Sequence, residues 1–549
     1  MARSRRPEGA LPRVLAGAAL GGLHAASFVP PLNHWWLQIG TLSLLMAMTV
    51  PDADRVPRHR MLTVAAFGFA WFAGGLAWLH TSMHVYGGMP WLLAATAVAL
   101  FSAYLAAFPA LAVAVAHWVV LARSPGAVKG SAPGAAFAHP LALAGCWGFS
   151  EWLRGYLFTG FPWLASGYAH VDSPLAGYAP WLGVYGIGAL ATLVAALLAV
   201  AVLHAADGAR RAISLVSAVC AAAVLLAGAG LARLELTEPD GSPVSVRLVQ
   251  GNVPQQLKFD RNRSIAAMND YAQAFESSHA ALTVMPETAW TLPWSATPPD
   301  LTDRILRAAA RNASAVAIGM PLPSTRLSPS IDGLRYTNSV ALIGAAPRAG
   351  SGAAPVTDPA AIVARYDKRH LVPFGEFIPT GFAWFVALMD IPLGEFARGV
   401  QGQPPFAVAG QRFAFNICYE DLFGEELLDA IRSPGNATVL VNVSNIAWFG
   451  DSQALPQHLA IARMRTLETG RPMLRATNTG VTAAIDHRGR VVAQLPYYEN
   501  AILDVTVQGT TGLTPFVRAG NAAALGCCLV FVGLAWVASG TRRGPKKLK

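Results

Sequence analysis

Polar and apolar positions divide the chain into three stretches. Residues 1–232 and 519–538 carry long, nearly uninterrupted apolar runs, whereas the middle alternates short apolar runs with amphipathic ones. A helix of about 20 apolar residues spans the hydrocarbon core of a bilayer. On that measure the sequence predicts about eight spans, at 10–29, 34–50, 61–82, 91–122, 139–158, 178–204, 212–232 and 519–538. The expected organisation is a polytopic α-helical membrane bundle over 1–232 with seven spans, a soluble domain over 233–518, and a last span with a basic tail over 519–549.

Within the soluble stretch, strand patterns fall at 245–248, 281–285, 315–319, 339–343, 362–366, 413–417, 438–442, 482–485 and 502–505. Helical patterns fall between them at 263–278, 301–312, 425–432 and 455–469. This alternation predicts an α/β domain. Residues 350–359, rich in Gly, Ala and Pro, read as a surface loop.

Composition agrees with the pattern: 54% of the 549 residues are hydrophobic and 13% charged, too apolar for an ordinary soluble enzyme. A net charge of +10 is compatible with nucleic acid or with an anionic membrane surface, and the placement of Lys and Arg favours the membrane over nucleic acid. Connections after even-numbered spans hold Arg55, Arg58 and Arg60, then Arg123 and Lys129, then Arg210 and Arg211, while those after spans one, three and five hold neither Lys nor Arg. The positive-inside rule then puts both termini in the cytoplasm and 233–518 outside. Reading the first span as a cleavable signal peptide would leave seven spans and spoil this alternation.

Cys146, Cys220, Cys527 and Cys528 lie in the apolar spans, so Cys418 is the single thiol of the soluble stretch. An internal disulfide framework is excluded there, and Cys418 reads either as a small core residue or as a nucleophile. Two further reactive types stand in equivalent places: Glu287 just after the 281–285 strand, and Lys368 just after the 362–366 strand, as Cys418 follows 413–417. Singly, Glu287 or Lys368 would read as a solvated surface charge. Strand ends are where an α/β domain gathers groups from distant parts of its chain. A carboxylate, an ammonium and a thiol gathered there suit nucleophilic acyl transfer: the thiol attacks, the carboxylate takes its proton, and the ammonium stabilises the oxyanion.

These blocks resemble the carbon-nitrogen hydrolase, or nitrilase, superfamily. The strings Tyr366-Asp367-Lys368-Arg369-His370-Leu371-Val372-Pro373-Phe374-Gly375-Glu376, Asn416-Ile417-Cys418-Tyr419-Glu420, Ala447-Trp448-Phe449-Gly450-Asp451 and Ala462-Arg463-Met464-Arg465 are similar to its apolipoprotein N-acyltransferase branch. In the apolar part, Glu151-Trp152-Leu153-Arg154-Gly155 and Thr159-Gly160-Phe161-Pro162-Trp163 resemble the same branch. The resemblance implies an αββα sandwich with Glu287 as general base, Lys368 as oxyanion stabiliser and Cys418 as nucleophile. It implies supporting roles for Glu376, Tyr419 and Glu420, and neither metal nor organic cofactor. The implied reaction moves an acyl chain from a membrane phospholipid, through a Cys418 thioester, to the α-amino group of a diacylglyceryl-cysteine on an apolipoprotein. The implied setting is the bacterial inner membrane, with the catalytic domain in the periplasm.

Phe259, Asn445, Trp448, Glu151 and Arg154 are expected at substrate-binding positions. Two departures touch this set: Phe259 stands where the branch is expected to have Trp, and Ile446 where it commonly has Asp. Glu151 and Arg154, three residues apart on a predicted helix, are expected to be able to pair on one face. Phe374, Phe377, Ile378, Phe382, Trp384 and Phe385 form either domain core or loops dipping into the lipid interface to receive an acyl chain. Two other functions fit less well. A membrane-tethered amidase acting on a small C–N substrate needs the three reactive residues but not lipid access, and a non-catalytic scaffold or transporter needs none of them.

Overall fold

The computed structural model describes residues 10–49, 58–123, 133–258, 260–324, 335–344, 362–386, 396–432 and 434–540. Residues 350–359 and Phe259 fall outside the described residues. The chain forms two compact units: one from Met1–Ala77, Ala95–Leu234 and Ala519–Lys549, the other from Trp78–Ala94 with Glu235–Arg518.

The first unit is helical. Helices Ala10–Ala26, Trp35–Thr49, Arg58–Gly75, Trp91–Arg123, Pro133–Arg154, Ala179–His204, Arg211–Leu231 and Ala522–Gly540 overlap the predicted spans in order. Among the described residues, four segments, Trp91–Ala122, Pro174–His204, Gly208–Leu231 and Ala522–Gly540, are each long and apolar enough to cross a membrane. The predicted 61–82 span does not run through as one helix, because the helix ends at Gly75. Gly74 and Gly75 are weak helix formers, and a Cβ at Gly75 would lie 2.3 Å from Leu164 Cδ1. Close packing also explains Gly17 and Gly21, where a Cβ would come within 2.5 and 2.1 Å of the Thr63 and Phe67 carbonyl oxygens. Small residues four apart let two helices approach backbone to backbone.

The second unit is built on fourteen strands among the described residues: β1 (Glu238–Pro239), β2 (Val244–Gln250), β3 (Leu282–Val284), β4 (Ala315–Pro323), β5 (Tyr336–Ile343), β6 (Ile362–Asp367), β7 (Phe406–Val408), β8 (Gln411–Ile417), β9 (Val439–Ser444), β10 (Met473–Thr477), β11 (Ala483–Ile485), β12 (Val491–Gln494), β13 (Ala501–Val507) and β14 (Thr510–Thr511). Two six-stranded sheets run in the orders β13-β2-β3-β4-β5-β6 and β12-β11-β10-β9-β8-β7, and β1 pairs with β14. The centres of both sheets are parallel, β2-β3-β4 in one and β8-β9-β10 in the other.

Strand periodicity sorts the layers. Val246, Leu248, Leu282, Val284, Ala315 and Ala317 face Phe413, Phe415, Ile417, Val439, Val441 and Val443 in one core between the sheets. The alternate residues point outward: Val249, Val316 and Ile318 pack under helices Arg261–Glu276 and Pro299–Asn312 through Met268, Phe275, Leu301 and Ile305. On the other sheet, Ala414, Leu440 and Met473 pack with Leu428, Ile431 and Ala462 of helices Leu428–Arg432 and Ala454–Thr469. The layers are thus α, β, β, α. Both strand faces are apolar because both are covered.

Candidate active site

Glu287, Lys368 and Cys418 each stand just beyond the C-terminal end of a strand. β3 is prolonged by the Met285 N–H donating to the Ala317 carbonyl (2.9 Å), which delivers Glu287 over the sheet edge. β6 ends at Asp367, and the Lys368 N–H still donates to the Asn338 carbonyl (2.8 Å), so the lysine leaves the ladder in a fixed direction. β8 ends at Ile417, and Cys418 opens a tight turn, Cys418–Leu422, with φ at +55°. A left-handed conformation costs a non-glycine residue about 1 kcal/mol or more, and here it turns the thiol abruptly out of the strand.

Lys368 Nζ lies 2.9 Å from Glu376 Oε1 and 3.2 Å from Glu287 Oε1. All three side chains are almost wholly buried. Burial works against the lysine's charge, but the carboxylates of Glu287 and Glu376 outweigh it and hold the ammonium well above the usual lysine range. Burial likewise pushes against ionisation of Glu287. Lys368, the Asn338 amide (2.7 Å) and the Asn445 backbone N–H (2.8 Å) overcome it and hold the carboxyl below its ordinary value. Cys418 is partly accessible, yet its dense surroundings, and then the negative charge of Glu287, push the thiol above the usual range against the pull of Lys368. At neutral pH the arrangement therefore holds a thiol, a carboxylate and an ammonium.

Glu376 touches the ammonium directly, and its second oxygen accepts from the Val372 N–H (2.8 Å), which ties the loop after Lys368 to the site. Glu420 is buried under the turn: Oε1 accepts from the N–H groups of Arg369 (2.6 Å) and His370 (3.0 Å), and Oε2 from the Ile417 N–H (2.7 Å) and Tyr366 OH (2.9 Å). It thereby ties the Lys368 loop to the strand that carries Cys418. Burial pushes its pKa up to about 7 against these donors. The Tyr419 ring is buried against His370 and Phe423, with centroids 5.7 and 5.3 Å away.

Asn445 is in the site, since its N–H holds Glu287 Oε2 and its side chain reaches Gln255 Oε1 (3.0 Å). Trp448 lies in the following turn, Ile446–Phe449, with its ring edge-on to Tyr86 at 6.2 Å. Ile446 is buried against Leu455, Val481 and Ala483, which explains how an apolar residue is accommodated at that departure. Trp78, from the Trp78–Ala94 segment, packs on Phe449 (4.3 Å) and donates to Gln457 Oε1 (3.2 Å). Phe374 packs edge-on against Phe382 (5.5 Å) and Phe385 (5.3 Å), and Phe382 and Trp384 are exposed.

Glu151 and Arg154 belong to the helical unit, and among the described residues no direct hydrogen bond joins them. Glu151 Oε1 accepts from the Ser166 N–H (2.8 Å) and hydroxyl (2.7 Å), while Arg154 Nη1 donates to the carbonyls of Phe161 (2.6 Å) and Trp163 (2.7 Å). Each is held by hydrogen bonds to a neighbouring loop.

Two residues of the site escape the sequence reading. Asn338 in β5 donates through one amide nitrogen to both Glu287 Oε1 and Glu376 Oε1, at 2.7 Å each. Lys258 is buried and donates to the Glu287 carbonyl at 3.2 Å; burial lowers its pKa to about 7 against the pull of Glu287 and Cys418. Asn338 immediately precedes the apolar run 339–343, so that run gives no signal for it. Lys258, in a short turn after Gln255–Leu257, gives no periodic signal.

An αββα sandwich with a thiol, a carboxylate and an ammonium at its strand ends has the build of a carbon-nitrogen hydrolase, and residues 245–516 match the family model described as carbon-nitrogen hydrolase. Residues 20–197 match the apolipoprotein N-acyltransferase N-terminal domain. Apolipoprotein N-acyltransferases of Ralstonia nicotianae (47% identical, covering 96% of this chain and 93% of the relative), Bordetella bronchiseptica (43%, 98% and 98%) and Nitrosomonas europaea (41%, 93% and 94%) align along nearly their whole lengths. The chain belongs to the apolipoprotein N-acyltransferase family.

Proposed function

We propose that this membrane enzyme transfers an acyl chain from a phospholipid to the α-amino group of an N-terminal diacylglyceryl-cysteine on apolipoproteins. The names of its relatives support the acceptor class, and they do not favour the amidase reading. The observation that carries the chemistry is Lys368 clamped between Glu287 and Glu376 beside the strained Cys418 turn. In this mechanism Cys418 Sγ attacks the ester carbonyl of the phospholipid as Glu287 takes the thiol proton. Lys368 faces the tetrahedral oxyanion, and the intermediate collapses to a thioester as Glu287 returns the proton to the departing lysophospholipid oxygen. The acceptor amine then attacks the thioester, Glu287 receives its proton, and Cys418 leaves and is reprotonated. A thioester keeps the acyl group activated between the two partners, so no further energy source is required.

The acyl donor sets the architecture. Its chains leave the bilayer only by exposing CH₂ groups at about 0.8 kcal/mol each, so the site must be carried to the lipid. On this reading the helical unit crosses the bacterial inner membrane in eight spans, with 1–232 and 519–549 as the membrane parts. The 233–518 domain faces the periplasm, and Phe259, Asn445, Trp448, Glu151 and Arg154 serve the substrates. The test is two-stage: purified protein is incubated with phospholipid, cleared of lipid, and chased with a diacylated lipopeptide. Triacylated lipopeptide without further donor is expected. Lipopeptide acylated only while donor is present would contradict the thioester route.

A further inference from the structure

A buried cluster that the mechanism leaves unused grips the nucleophile's own backbone. His458 on helix Ala454–Thr469, Asp421 in the turn after β8 and Arg475 in the middle of β10 are each 0% exposed. Arg475 Nη1 donates to Asp421 Oδ2 (3.0 Å), and Arg475 Nη2 lies 2.9 Å from His458 Nδ1. A guanidinium has only donors, so His458 Nδ1 must accept and the imidazole proton sits on Nε2. That N–H points at Asp421 Oδ1 (2.9 Å) and at the Cys418 carbonyl (3.3 Å), which also accepts from Asn442 Nδ2 (3.2 Å). In a trans peptide the carbonyl and the next N–H point opposite ways. Holding the Cys418 carbonyl inward therefore fixes the whole Cys418–Tyr419 peptide plane, at the residue whose φ is +55°.

We propose that His458 is a positioning residue for the nucleophile. Through the Cys418 carbonyl it holds the strained turn in its reactive orientation, and Arg475 and Asp421 fix its tautomer and ring plane. Arg475, a charge inside a wholly buried strand, is in this view a tautomer lock. The proposal rests on Cys418 being the nucleophile, and its test keeps the two apart.

The experiment is single-turnover thioester formation by the full-length protein at saturating phospholipid, normalised to Cys418 that can be alkylated. His458→Leu removes the donor and should slow acylation about 10²-fold, the cost typical of a reacting group misplaced by an ångström, with the half-saturating lipid concentration unchanged. His458→Gln offers an amide N–H at the reach of Nε2 and a carbonyl for Arg475, and should restore most of the rate. His458→Asn keeps the polarity but falls short of the carbonyl, so it should stay slow. If the leucine protein does not fold, the glutamine and asparagine proteins carry the comparison. Equal rates per alkylatable thiol in glutamine and asparagine variants, or a change confined to lipid affinity, would overturn the positioning role. Acyl transfer by Cys418→Ala would instead remove the nucleophile itself.

Discussion

The Glu287 carboxylate is one of the causes that push the Cys418 thiol upward, although it is also the group proposed to receive the thiol proton. This predicts opposite responses in one variant. Glu287→Gln removes a negative charge beside the sulfur, so Cys418 alkylation by iodoacetamide should reach its midpoint at lower pH than in the unmodified protein. Acylation by phospholipid should nevertheless fall about 10²–10⁴-fold, the usual contribution of a positioned base. Both rates falling together would contradict the division of roles. Lys368 and Glu376 are separable in the same way. Lys368→Met should slow acylation and deacylation alike by about 10²–10³, as loss of an oxyanion donor does. Glu376→Gln, which keeps an oxygen near Nζ, should be milder. A lysine variant defective only in the lipopeptide chase would place Lys368 in the acceptor step alone.

At the scale of elements, the strand ends after β3, β6 and β8 are legible in the sequence, because apolar runs stop at a charged or nucleophilic residue. So are β2, β4, β9, β11 and β13, but β7, β10 and β12 are not. β10 is broken by Arg475, whose charge is matched by Asp421 from another element, a pairing no local pattern shows. The apolar run of β5 is legible from 339 onward, but its 336–338 portion is not, and that portion holds the buried Asn338. β7 is three residues long and β12 is only half-buried. Asn338 also gives a test of the charge balance. Its amide is one of the groups holding Glu287 below its ordinary value. With Asn338→Leu the Glu287 pKa should rise. In the proposed mechanism Glu287 acts as the carboxylate, so the acid limb of the acylation profile should move to higher pH. The fold should also lose about 1–3 kcal/mol for carboxylate oxygens deprived of this donor. An acid limb that stays in place would show that Asn338 has no hold on Glu287.

For the whole molecule, the positions of the long helices follow from hydropathy, but their ends do not, because glycine packing as at Gly75 is settled by a neighbour distant in sequence. The grouping of Trp78–Ala94 with Glu235–Arg518 was likewise invisible, since Trp78 meets Phe449 and Gln457 more than 370 residues later along the chain, as with the separation of 379 between Trp78 and Gln457. The distribution of Lys and Arg predicts cytoplasmic termini and an external 233–518 domain. Alkaline phosphatase fused near Gly350 should be active and a cytoplasmic reporter there silent, and the reverse pattern would invert the topology.

Intact-protein mass spectrometry tests acyl transfer through Cys418 most directly. The full-length protein would be incubated with a phospholipid carrying a single kind of acyl chain and no acceptor. The expected result is an added mass of one acyl group on Cys418, removed by hydroxylamine or by a diacylated lipopeptide and absent from Cys418→Ala. Lipopeptide acylation proceeding while Cys418 carries no adduct at any time, or an adduct that persists in Cys418→Ala, would contradict it.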